Sequence, residues 1–502
     1  MPIDTDIAQL RERLREVDDL KSAASLLSWD QATCMPRGGA IARGRQLATL
    51  ERLAHERLID PGMQRLVERL HGAVDALPAH ERDLLRVVAR DVDRASRLPS
   101  AFMAAVSQHG VASYEAWARA RQQDDVSLVE PLLERTLEYS REYAAYFPEV
   151  VHPADALIDA ADEGMTVAIL RPLFARLREA LVPLVERVVD DGPGGPSLPV
   201  RSAPETQLAL ALRLAGAFGY DLERGRQDLT PHPFAIRMAH GDVRITTRVS
   251  PTDLTEALFS TLHETGHALY EQGVDAAFDG TPLASGVSAG VHESQARLWE
   301  NQVARSHAFW RYALPIVQEA FPELAHLGVE DAYRAVNRVR RTLIRTDADE
   351  LTYNLHVIVR FELEIELLEG RLTIADLPEA WSERYARDLG VRPTSDADGV
   401  LQDVHWFAGL VGGAFQGYTI GNVLAAQFYE AAQASLGDVD AHVASGDFAP
   451  LLGWLRSNVY SWGRRLPPAA LVERATGGPL RVEPYLEYLH GKYLDARLVR
   501  RS

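Results

Sequence analysis

Cysteine is all but absent. Cys34 is the single thiol in 502 residues, so no disulfide can close within the chain. That excludes a disulfide-stapled secreted scaffold and suits a reducing compartment. No uninterrupted apolar run approaches the roughly 20 residues of a membrane span. The opening stretch "MPIDTDIAQLRERLREVDDLKS" also lacks the apolar centre of a signal peptide. Basic residues are in deficit: 53 Lys and Arg stand against 71 Asp and Glu, a formal net charge of −18. Phosphate-bearing partners would be repelled over most of such a surface, which argues against nucleic acid and anionic membranes. Repeats, low-complexity tracts and long linkers are missing as well. The expectation is one cytoplasmic domain spanning 1–502, with no nucleic-acid or membrane partner.

What is present is mostly helical periodicity. "LRERLREVDDLKSAASLLSW" (10–29) and "LRPLFARLREALVPLVERVV" (170–189) repeat leucine at helical spacing. Amphipathic runs recur near 205–219, 355–369, 421–436 and 467–475. Gly and Pro in "DDGPGGPSLP" (190–199) break the pattern, and "GVRPTSDADG" (390–399) reads as a second irregular stretch. One region differs: "HPFAIRMAHGDVRITTRV" (232–249) alternates apolar and polar residues about "HGD", which predicts a β-hairpin.

Directly after it comes "TLHETGHALYEQG" (261–273). On a helix His263 and His267 share one face, so both imidazoles can reach one metal ion. Glu264 is rotated about 100° from His263, where it flanks the ion as a base for water. Thr252 or Asp253 caps this helix, Leu258 and Leu262 face the core, and Gly266 implies a close neighbour such as the hairpin edge. A catalytic site needs a third ligand. "GVHESQARLWENQ" (290–302) offers Glu293, with His292 as competitor. Glu293 is preferred because Glu300, seven residues on, shares its face and could accept from a ligating imidazole.

Together these segments resemble the carboxypeptidase Taq family of metallocarboxypeptidases (peptidase family M32), over essentially the full length. "SWDQATCMPRGGAIARGRQLATL" (28–50) is similar to the family's N-terminal segment. "DVRIT" (242–246) matches its Asp-x-Arg-x-Thr motif, "HETGH" its zinc helix, and "HESQ" (292–295) its third-ligand segment. "IRTDAD" (344–349) and "GVLQDVHW" (399–406) match two further motifs. Cys34 stands where Met is expected and Ala296 where Ser is usual. "GGAFQGYTIGN" (412–422) is looser than the family's Pro-containing version.

The resemblance implies a mainly α, two-lobed, neurolysin-like zinc-peptidase fold with a deep groove and a small β-hairpin or sheet beside the histidine helix. It implies a homodimer, Zn2+ (replaceable by Co2+), and release of single C-terminal residues with broad preference, Pro disfavoured. Recognising a free carboxylate calls for arginine. Arg345 is the first candidate, with Asp349 as its brace on a shared helical stripe. Arg244, oriented by Asp242, is the second. His405, and Tyr418 as a second donor, could hydrogen-bond the developing oxyanion. The competing readings are a helical zinc oligopeptidase or dipeptidyl carboxypeptidase, and a noncatalytic peptide-binding protein.

Overall fold

The computed structural model describes residues 3–189, 197–201 and 203–494. The architecture is mainly helical with one small sheet, as the sequence implied. Long helices appear where the periodicity predicted them: Ile3–Thr33, Val167–Val188, Pro204–Phe218, Tyr353–Leu368, Gln416–Leu436 and Pro468–Thr476. Of the predicted break at 190–199, residues 190–196 lie outside the described residues. One apolar core runs from Leu10 to Tyr493, and a smaller cluster forms around Phe102 and Phe147. Among the described residues no helix is long and apolar enough to cross a membrane.

The predicted hairpin is present: β2 (Ala235–Ala239) pairs antiparallel with β3 (Asp242–Thr247). A third strand, β1 (Gln227–Leu229), joins β3 in parallel and gives the order β1-β3-β2. With three residues it has no alternation to read. Its value is positional. Gln227 Nε2 donates to Thr261 Oγ1 at 2.6 Å, and Thr261 Oγ1 donates to Thr247 Oγ1 at 3.1 Å. The sheet thereby fixes the histidine helix, Leu254–Gly273, just before its first histidine. Of the two predicted caps, Asp253 is the one used: its carboxylate accepts from the backbone N–H of Thr255, Ser197 and Leu198. Leu258 and Leu262 are fully buried, as their spacing required.

The neighbour that demands glycine at 266 is not the hairpin edge. It is the following helix, Ala289–Arg297, which carries Glu293. A methyl group at Gly266 would stand 2.5 Å from the Gln295 carbonyl oxygen and 2.6 Å from Ala296 Cα, both rigid backbone. The glycine therefore lets two helices touch and sets the separation of the candidate ligands they carry. Gly266→Ala is expected to cost about 1–3 kcal/mol of unfolding free energy, the usual range for overpacking. A lower denaturation midpoint together with weaker metal retention would register it. Gly421, on Gln416–Leu436, makes the same allowance from the other side, because a Cβ there would collide with Glu293 Cβ at 2.6 Å.

Candidate active site

Two helices and a tight crossing bring His263, His267 and Glu293 together, with one ligand atom from each lying within 4.8 Å of the others. Glu293 Oε2 is 3.7 Å from His263 Nε2 and 3.4 Å from His267 Nε2. The opposite ring nitrogens are engaged elsewhere. His263 Nδ1 is 2.9 Å from Glu300 Oε2, and His267 Nδ1 is 3.1 Å from the His292 carbonyl oxygen. With Nδ1–H donating, each Nε2 lone pair is directed to the shared point, the tautomer a metal requires. Burial pushes the His267 imidazole down to about 4, so it is neutral near pH 7. A two-nitrogen, one-carboxylate donor set fits a catalytic divalent ion of the zinc type. These residues therefore fit the metal that the sequence implied.

His292, the competing ligand, faces away: its Nε2 is 2.8 Å from Glu271 Oε1, and its ring stacks on His267. Its backbone carbonyl, not its imidazole, serves the cluster. Glu300 does lie behind His263, but on a π-helix, Leu298–Ala304, rather than a regular α-helix. Arg297 links the two acids, with Nε 2.7 Å from Glu293 Oε1 and Nη1 3.2 Å from Glu300 Oε2. It leaves Glu293 Oε2 as the oxygen offered to a metal. Although burial opposes their charge, Arg297 and the histidines hold both carboxyls far below the usual range. Glu264 is 6% exposed, and burial raises its carboxyl to about 7.

Arg345 sits on a single 3₁₀ turn, Arg345–Asp347, and the helix begins only at Tyr353, so the expected helical stripe is absent. Asp349 does not brace it: that carboxylate accepts from the backbone N–H of Arg340, Leu351 and Thr352. The brace is Asp403. Arg345 Nε and Nη2 reach Asp403 Oδ1 at 3.2 and 2.8 Å, and Arg345 Nη1 donates to the Tyr353 hydroxyl at 2.9 Å. Arg360, fully buried, donates to Asp403 Oδ2 at 2.5 Å. Two guanidiniums thus share one carboxylate, and the cluster keeps a net positive charge. Three of the five N–H donors of Arg345 are engaged, which leaves one on each terminal nitrogen.

Tyr418 joins the two clusters. It lines a 590 Å³ cavity together with His267 and Glu293, and the Arg345 Cζ lies 5.1 Å from its ring centroid. Its hydroxyl is 3.3 Å from His405 Nε2. Burial, reinforced by Arg345, drops the His405 imidazole to about 4, so it acts as a neutral hydrogen-bonding group near pH 7. Arg244, the second arginine the sequence singled out, stands in a separate cluster. Asp242 clamps it bidentately at 2.8 and 2.7 Å, and its Cζ lies 4.3 Å over the Trp29 ring.

The sequence reading missed Arg297, Arg360 and the bracing role of Asp403. A glutamate followed four residues later by arginine was a usable signal for Arg297. A lone arginine inside the apolar run "NLHVIVRFELEIELL" was one for Arg360.

Residues 9–493 match the family model of the carboxypeptidase Taq (M32) metallopeptidases. The chain is 42% identical over 498 residues to thermostable carboxypeptidase 1 of Thermus thermophilus, covering 96% of this chain and 97% of that one. It is 35% identical to carboxypeptidase 1 of Bacillus subtilis, covering 99% and 100%. Among solved structures, the M32 carboxypeptidase of Deinococcus radiodurans R1 is similar with a TM-score of 0.95 and 51% identity, covering 99% of this chain and 100% of that one.

Proposed function

The chain belongs to the carboxypeptidase Taq (M32) family of metallopeptidases and is a metallocarboxypeptidase; on that premise we propose how its residues divide the work. His263, His267 and Glu293 hold the metal, read as Zn2+ with Co2+ able to replace it. Such an ion supplies Lewis acidity, making water a nucleophile near neutral pH and polarising the scissile carbonyl.

The remaining steps belong to the protein. Glu264 takes the proton from the attacking water and delivers it to the leaving amine. Arg345, held by Asp403 and Tyr353, offers its two unengaged N–H groups to the C-terminal carboxylate of the peptide. His405 and Tyr418 donate to the oxyanion as the carbonyl carbon becomes tetrahedral. Arg244, its charge held in place by Asp242 and Trp29, is the second arginine assigned to the substrate in this reading. The observation that carries this assignment is the position of Tyr418, which touches the cavity of the metal residues and the arginine cluster at once. Catalytic and recognition groups then fall within the reach of one peptide end.

The substrates are peptides with a free C-terminus, trimmed one residue at a time with broad preference and Pro disfavoured. The continuous core supports reading 1–502 as one catalytic domain. A homodimer rests on the family resemblance, and a cytoplasmic location on the single cysteine.

The test compares one peptide in free-acid and C-terminally amidated forms, with and without chelator, by mass spectrometry. Successive one-residue losses are expected from the free acid alone. Chelator should abolish them, and added zinc or cobalt should restore them. Internal or two-residue cuts in both forms would instead indicate an oligopeptidase.

A further inference from the structure

The two residues after Glu300 on the π-helix, Asn301 and Gln302, line a second cavity of 700 Å³ that shares no lining residue with the first. Both are nine-tenths or more buried, at 3% and 5% exposure. The Asn301 backbone carbonyl accepts from the Tyr488 hydroxyl at 3.1 Å, but neither carboxamide has a hydrogen-bond partner among the described residues. Without protein partners and with their amide atoms open to the cavity, these two groups are placed to bond to whatever enters it.

The charge around them defines that visitor. Carboxylates from Glu430, Asp438, Asp440 and Glu487 line the cavity, against Arg311 and Lys492. The Lys492 ammonium is already committed to Glu350 at 2.6 Å, and Glu430 to Arg481 at 2.5 Å. Three carboxylates then face a single arginine, an excess of negative charge. Tyr429 and Tyr488 add two aromatic rings to the same lining, the groups that favour an organic cation over a hydrated metal ion.

We propose that this cavity binds a small organic cation with several N–H donors, of the alkylammonium or guanidinium class. The carboxamide oxygens of Asn301 and Gln302 accept from it at the floor, and Asp440 and Glu487 balance its charge at the rim. A carboxypeptidase releases free amino acids, so arginine and lysine meet this description, as does a polyamine.

Calorimetric titration of the metal-loaded protein with arginine, lysine, spermidine and, as a neutral control, alanine tests this. Saturable binding is expected for at least one cation and none for alanine. Arginine or lysine alone would identify an amino-acid site, and spermidine alone a polyamine site. Binding should persist in Arg345→Ala, which removes the proposed carboxylate contact of the active site. It should weaken about tenfold or more in the Asp440→Asn, Glu487→Gln double variant and again in Gln302→Leu, since each removes contacts to a charged group. Unchanged melting temperatures would show that these variants fold. Absence of cation binding up to about 10 mM, affinity untouched by the substitutions, or binding lost with Arg345 would each overturn the proposal.

Discussion

Glu264→Gln is expected to bind its metal normally and to turn over peptides about 10²–10⁴ times more slowly, with little change in KM. The substitution keeps shape and removes only the capacity to take a proton. None of the three candidate ligands depends on Glu264 for its orientation: Glu300 and the His292 carbonyl fix the imidazoles, and Arg297 fixes Glu293. Metal content and kcat should therefore separate cleanly. Measured together on one preparation, full metal occupancy with lost turnover supports the base assignment. Normal turnover would remove Glu264 from the mechanism.

Arg345→Ala should lower kcat/KM for free-acid peptides by about 10²–10³-fold, the range for deleting one partner of a buried charged pair. Its more telling effect is on selectivity. The ratio of free-acid to amide cleavage should fall toward unity, because the group that reads the carboxylate is gone. Arg345→Lys should recover little, since an ammonium cannot reproduce the planar fork. The fold should survive, because Asp403 keeps Arg360 at 2.5 Å and is not left as a lone buried charge. Circular dichroism with steady-state kinetics on matched acid and amide peptides would check both parts. Preserved discrimination would move carboxylate recognition elsewhere, with Arg244 the next residue to replace.

The histidine pair was legible because its geometry is local: four residues on a helix determine which side chains meet. Glu300 could be anticipated for a similar reason, though the π-turn that presents it could not. Spacing rules failed where the partner came from a distant segment. Asp349 lay four residues from Arg345 and looked like its brace, but it is occupied in the turn that leads into the next helix. The true brace, Asp403, is 58 residues away. Gly266 announced a close contact without saying which backbone would supply it, and helix–helix crossings carry no short-range signature. β1 escaped because three residues cannot show a period.

The π-helix at Leu298–Ala304 has one more implication, for how this gene can drift. A π-turn carries one residue more than the α-turn it replaces. Deleting a codon within this segment would let it relax into an ordinary α-helix, with perfectly good hydrogen bonds of its own. Everything beyond would then rotate by about 100° relative to Glu293. Arg305, which reaches back to Glu300 at 3.2 Å and to the Val336 carbonyl at 2.6 Å, would lose both contacts. The segment's reading length is thus as fixed as its seven side chains, all of them buried.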